Sequence, residues 1–283
     1  MQLSRKWVLA LLCAPVTFLL AFFIVPFILI VIQSFQTQDG AWAADNYAKI
    51  FGEGYYWATL FDTFRLSLWV TVCCFIIGYP LAYYIVRRIE SRWVRRLMYI
   101  VIITPLFTSN IVRAFGWIVL LGRKGLINDT LVGAGIIDRP IALLYGQFSI
   151  ILGLVYIMLP FMVLTIASVL QNIDKSLEDA ARDLGCNAWT AFLKVTFPLS
   201  LPGVVAGSLI IFTLTVSAYV TPSILSGGRE LVMSMLIFQQ YGAILNFELG
   251  AALSVVLLVT TLILVVFYML VLDRGSKPSA ARG

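Results

Sequence analysis

The sequence predicts an all-α polytopic membrane protein with six transmembrane helices. Three observations carry that reading. Hydrophobic residues make up 61% of the 283 positions and charged residues only 12%, against about 45–50% and 25% in a soluble domain. Several mostly apolar runs reach the roughly 18 residues that a membrane-crossing helix needs. No stretch alternates in the manner of a membrane strand, so helices must satisfy the backbone in lipid. Little chain remains between the runs, and residues 1–283 read as one domain.

The spans fall at roughly 7–32, 64–86, 97–121, 146–170, 203–225 and 249–272. The first follows Arg5 and Lys6 but is longer than the ~7–15 apolar residues of a signal peptide, so it reads as a retained helix. The second ends in the basic cluster Arg87, Arg88, Arg92, Arg95 and Arg96. The third carries Arg113 inside PLFTSNIVRAFGW. The fourth follows Gly146, the fifth follows Pro198 and Pro202, and the sixth leads to a basic C-terminal tail. Pro15, Pro26, Pro80, Pro105, Pro160 and Pro222 lie within or near the span ends. Such kinks suit a channel or transporter, where neighbouring helices or water satisfy the freed carbonyls.

Orientation follows from lysine and arginine in the loops. With the N-terminus cytoplasmic, the inner face takes the Arg87–Arg96 cluster, Lys175, Arg182, Lys194 and both termini. The outer face keeps only Lys49, Arg123, Lys124, Arg139 and Arg229, and its acids, among them Asp39, Asp45, Glu53 and Asp62, outnumber them. A net acidic outer mouth favours a cationic solute. Topology accounts for the basic cluster, which is also a candidate contact for anionic lipid or protein. The pI near 9.2 has the same origin and gives no reason to expect nucleic acid as a partner.

The chain shows no chemistry of its own. It contains no histidine, the commonest metal ligand and general base. Cys13, Cys73, Cys74 and Cys186 lack metal-site spacing. No phosphate loop of the Walker type is present. Catalytic residues and metal ligands are therefore expected to be absent. Arg113 is the deepest charge within a span; it either lines a pathway or interface or pairs with a neighbour. No Asp or Glu lies mid-span, which argues against an ion-coupled carrier.

The cytoplasmic interval 171–202 interrupts the apolar pattern. Leu177, Ala180, Ala181, Leu184 and Ala188 share one helical face by their spacing. Glu178, Asp179, Arg182 and Asp183 largely point elsewhere. Ser176 is positioned to cap the helix, with acids in its first turn. Gly185 lets the chain turn or a surface approach closely. A second short amphipathic piece, 189–197, precedes the fifth span. A short helix, a bend and a second short helix thus lie beneath the membrane, with a ridge of small residues.

Asp179-Ala180-Ala181, then Gly185, then Val195-Thr196-Phe197-Pro198 resembles the EAA motif of permease subunits of bacterial ABC importers, written E-A-A-x3-G-x9-I-x-L-P. Asp179, Val195 and Phe197 depart from it conservatively. GLVYIMLPFMV, FPLSLPGVVAG and PLFTSNIVRAFGW extend the resemblance to the spermidine/putrescine permeases of the PotB type over most of the chain. The resemblance implies a type I (MetI-like) importer transmembrane domain in the bacterial inner membrane. It implies that the loop is a coupling helix docked on a dimer of ATP-binding subunits, using Glu178, Asp179, Ala180, Ala181, Arg182, Gly185 and Pro198. It also implies a second permease subunit of the PotC type, a periplasmic substrate-binding protein, and no cofactor on this chain, with ATP and Mg²⁺ on the ATPase.

Polyamine is the first choice of solute. Trp69, Trp117, Tyr156 and Tyr219, with Ser217 and Thr221 nearby, supply rings and hydroxyls for a cation along the pathway, a ring contact contributing about 0.5–2 kcal/mol; the same rings also suit packing against lipid or neighbouring helices. Importers for aminoethylphosphonate, amino acids or ferric iron are the alternatives within the class. An ion-coupled carrier or channel is the alternative outside it.

Overall fold

The computed structural model describes the backbone of residues 5–276 and the side chains of residues 11–270. The basic residues Arg5, Lys6, Arg274, Lys277 and Arg282 of the topology argument lie outside the described side chains. Among the described residues the regular structure is helical, with one isolated antiparallel bridge between Gln36 and Trp42. In chain order the helices are α1 (Arg5–Leu19), α2 (Val25–Ser34), α3 (Asp45–Gly52), α4 (Gly54–Arg87), α5 (Arg92–Ile103), α6 (Asn110–Leu121), α7 (Leu126–Gly133), α8 (Gln147–Asn172), α9 (Ser176–Asp183), α10 (Ala188–Ala191), α11 (Phe197–Val216), α12 (Val220–Leu225), α13 (Met233–Gln239) and α14 (Phe247–Ser276).

Among the described residues five continuous helical stretches are long and apolar enough to cross a bilayer: Leu11–Ser34, Gly54–Arg87, Gln147–Asn172, Ala188–Val216 and Phe247–Leu270. The expected third span is not one straight helix. α5 with a 3₁₀ turn (Thr104–Phe107) meets α6 and α7 at a bend of 100°. Pro105 removes a backbone donor there. Thr108 and Ser109 leave the helix for extended backbone, with ψ of 149° and 138°. Hydroxyls compete for the backbone as well: Thr104 donates to the Ile100 carbonyl at 2.7 Å and Thr108 to that of Pro105 at 2.9 Å.

The fifth span also differs from expectation. It starts earlier, at Ala188, and stops at Val216 rather than 225. A π-helical turn, Phe192–Thr196, joins α10 to α11 immediately before Pro198. A similar turn, Leu20–Ile24, stands just before Pro26. In both places the wider turn takes up the register that the missing proline N–H leaves open, so neither proline breaks its helix. The stop at 216 has a separate cause. Pro222 cannot donate to the Ala218 carbonyl, which instead accepts from the Ser234 hydroxyl at 2.7 Å.

The described chain forms two compact units. One comprises Met1–Leu60 and Leu236–Gly283 in their described parts. In it α2 and α3 pack on α14. Ser34 and Tyr47 share a hydroxyl–hydroxyl hydrogen bond of 2.8 Å, and Asn46 donates to the Gln36 carbonyl at 2.9 Å. None of the most apolar window of Leu11–Ser34 is buried.

The other unit, Phe61–Met235, is built around α8, which carries the largest share of buried core: Leu154, Met162, Ile166 and Leu170 are fully enclosed. Glycines bring its neighbours close. A β-carbon at Gly203 of α11 would stand 2.9 Å from the Thr165 carbonyl, and one at Gly78 of α4 would stand 2.9 Å from Met162 Cγ. Small residues at such crossings let membrane helices approach to backbone distance.

Candidate coupling loop and aromatic cluster

The helix α9 is fixed at both ends by short-range chemistry. Its first-turn donor is met by Asp174, whose carboxylate accepts from the Ser176 N–H at 3.0 Å, so the cap is Asp174 and not Ser176. That backbone bond, aided by the Ser176 hydroxyl, holds the Asp174 carboxyl below the usual carboxylate range. At the other end Gly185 has φ +86°, the left-handed region that glycine enters without strain. Cys186 N–H donates to the Ala181 carbonyl at 3.0 Å and Gly185 N–H to that of Arg182 at 2.9 Å. These two bonds make a Schellman close. Asn187 caps α10 by accepting from Thr190 N–H at 2.7 Å.

The faces of α9 divide sharply. Glu178 turns inward. Its Oε1 lies 3.1 Å from Arg87 Nε, at the end of α4, and accepts from Thr196 Oγ1, just before α11, at 2.9 Å. The Arg87–Glu178 contact is an ion pair rather than an aligned hydrogen bond, since Nε has no hydrogen-bond partner. Arg87 NH2 also donates to the Ile173 carbonyl at 3.1 Å. One buried carboxylate thus ties three segments together: the end of α4, the start of the loop and the start of α11.

On the outward side, Asp179, Ala180, Arg182 and Gly185 are exposed, as is Pro198 beyond, while Ala181 is half-buried. Leu177 and Ala188 are exposed too, and Leu184 is 87% exposed. The face that the sequence marks as apolar is therefore left largely uncovered by the other described residues. A β-carbon at Gly185 would meet nothing within 4 Å. The loop is a braced ridge of apolar and small residues whose outward side is exposed among the described residues. Sequence reasoning missed Arg87 and Thr196. Arg87 stood in the basic cluster, and nothing linear links it to Glu178.

The seven residues proposed along a pathway do not form one group. The Trp117 and Tyr156 rings meet edge to face at 5.7 Å. Gly153 lies beneath them: a β-carbon there would stand 3.0 Å from Thr221 and 3.7 Å from Trp117. Trp117, Tyr156 and Thr221 thus converge from α6, α8 and α12. Arg113, one turn before Trp117, hydrogen-bonds the Pro105 carbonyl at 2.6 Å and the Asn110 side-chain carbonyl, so its guanidinium stitches the bend in the broken span. Ser217 hydrogen-bonds carbonyls of its own helix at 3.1 and 3.3 Å. Tyr219 is half-buried at the break before α12. Trp69 projects from α4 with about half its surface exposed and joins none of these ring contacts. Among the described residues no group of three His, Cys, Asp or Glu side chains is arranged to hold a metal ion.

Fold and loop together define an integral-membrane transport component. The chain belongs to the family of binding-protein-dependent transport system inner membrane components, whose model matches residues 75–275. It is 31% identical over 274 residues to the spermidine/putrescine transport system permease protein PotB of Salmonella typhimurium strain SL1344, covering 95% of this chain and 94% of that one. PotB of Escherichia coli K12 is 32% identical over 260 residues, covering 89% and 94%. Among solved structures, a bacterial ABC transporter involved in import of the acidic polysaccharide alginate superposes with TM-score 0.79 over 97% of this chain and 98% of that one, at 18% identity. The fold is that of an ABC importer transmembrane subunit, and the protein is a multi-pass component of the inner membrane.

Proposed function

We propose that this chain is one of two permease subunits of an ATP-driven importer for polyamines, with N- and C-termini in the cytoplasm. The observation that carries the coupling role is the exposed ridge Asp179–Gly185 held by Arg87, Glu178 and Thr196. A partner that displaces this ridge moves the ends of α4 and α11 with it, because the buried carboxylate links all three. In this reading a dimer of ATP-binding subunits supplies the displacement and holds the ATP and Mg²⁺. This chain binds no cofactor and catalyses no reaction. A second permease subunit of the PotC type completes the pathway, and a periplasmic binding protein delivers the solute.

Polyamine as solute is supported by the nearly full-length likeness to PotB. The Trp117–Tyr156 pair supplies ring faces to a cation where no mid-span carboxylate is present. Isothermal titration of the cognate binding protein with putrescine and spermidine tests the solute. Heat of binding with either supports the assignment, and none with both rejects it. Vanadate-sensitive uptake in reconstituted vesicles tests the energy source separately.

A further inference from the structure

The cytoplasmic end of the Phe61–Met235 unit carries a groove beside the coupling loop. Its volume is about 760 Å³, and its walls are α4 from Phe75 to Tyr84 with Arg88 just past its end on one side, and Arg182 with Ala188 to Phe197 on the other. Aromatic and aliphatic side chains form nearly all of it, and no acid contributes. Ile76, Tyr84 and Trp189 present exposed surface along it. Two charges stand in its lining, Arg88 and Arg182. Both are exposed, and among the described residues neither is in an ion pair. Arg87, by contrast, is engaged by Glu178 and the Ile173 carbonyl.

Length identifies the occupant. From Phe75 to Tyr84, the apolar lining of α4, an α-helix advances about 14 Å, close to the roughly 15 Å depth of one leaflet's hydrocarbon. The apolar part of the groove is therefore as long as one leaflet, and α4 brings its charge in at the end where the basic cluster lies. A peptide strand needs backbone partners that this lining lacks, whereas an acyl chain with an anionic headgroup matches an apolar run that ends at two arginines. Basic pockets between membrane helices on the cytoplasmic side suit anionic headgroups, and tyrosine and tryptophan suit the interfacial depth. We propose that the groove holds one anionic glycerophospholipid of the cytoplasmic leaflet, its phosphate between Arg88 and Arg182 and one acyl chain along Phe75, Ile76 and Pro80. Because Arg182 belongs to α9, the lipid touches the coupling loop directly.

The inference rests on the cytoplasmic placement proposed above and is independent of the solute. The test is native mass spectrometry of the chain in the assembly in which it purifies, titrated with phosphatidylglycerol and phosphatidylcholine of identical acyl chains. One phosphatidylglycerol per copy should bind at least tenfold more tightly than phosphatidylcholine. Arg88→Gln should abolish that preference, and Ile76→Trp, which fills the groove, should weaken both lipids. Equal binding of the two lipids by the unaltered chain, or a preference unchanged in Arg88→Gln, overturns the proposal. Photo-crosslinking from Tyr84→benzoylphenylalanine in membranes gives an independent reading. Capture of phospholipid supports the site, and capture of a neighbouring subunit replaces it with a protein interface. Failure to co-purify with an ATP-binding subunit would count against the importer role and leave the lipid measurement intact.

Discussion

Replacing Glu178 by alanine is the sharpest perturbation of the loop. The Glu178 and Arg87 side chains are only 11% and 6% exposed, so solvent screening is slight. Removing one member of a buried ion pair strands the other and costs about 3–5 kcal/mol. Arg87 retains its bond to the Ile173 carbonyl, and the pair is not aligned as a hydrogen bond, which places the expected loss near the lower bound, about 3 kcal/mol. Glu178→Gln should cost less, because its amide oxygen still accepts from Thr196. Combining it with Arg87→Gln removes both charges together, and the double variant should be more stable than the sum of the single losses by about 1–3 kcal/mol. Thermal unfolding of the purified assembly measures these losses, and solute uptake in the same preparations measures the consequence for coupling. Unchanged melting in Glu178→Ala, or strict additivity in the double variant, would show that the contact does not brace the loop.

Other predictions test separate parts of the structure. Gly203→Ala places a methyl group 2.9 Å from the Thr165 carbonyl; it should destabilise the α8–α11 crossing by about 1–3 kcal/mol, visible as a lower melting temperature. The cap at Asp174 has a depressed carboxyl pKa. Its contribution is therefore present above the ordinary carboxylate pKa of about 3.9 and is lost as acidification passes below that range. Amide exchange at 176–179, corrected for intrinsic rates, should quicken at low pH, and Asp174→Ala should show the faster exchange already at neutral pH. Trp117→Leu should raise the uptake KM for putrescine by about 2–30-fold, the equivalent of a ring–cation contact of 0.5–2 kcal/mol. An unchanged KM in radiolabelled uptake removes that ring from the solute path.

The helical class and the apolar runs were legible because burial in lipid acts on composition, and composition is local. The bend at Gly185 was legible for the same reason, since its left-handed φ is a property of one residue. What escaped depends on partners distant in sequence or on backbone geometry with two solutions. Pro105 announces a kink, but a bend of 100° also needs extended backbone at Thr108 and Ser109 and an arginine to take up the freed carbonyl. Pro198 looks like a helix start, yet a π turn before it lets one helix run through. Ser176 looks like a cap, yet it is the Asp174 carboxylate, two residues earlier, that accepts a first-turn donor, the Ser176 N–H. Glu178 looks like one more surface acid of α9, and only the folded chain brings Arg87 and Thr196 to it.

The role of the ridge in receiving work from a partner is tested most directly at Gly185. Asparagine tolerates the left-handed backbone better than other residues with a side chain, and its β-carbon meets open space within this chain. Gly185→Asn should therefore fold and insert normally. If the ridge docks on an ATP-binding subunit, the added side chain stands at that contact. Uptake and ATP hydrolysis measured together in proteoliposomes should then show normal assembly, lost uptake, and hydrolysis no longer stimulated by loaded binding protein. Full uptake with normal stimulation in this variant would contradict the coupling role of Asp179–Gly185.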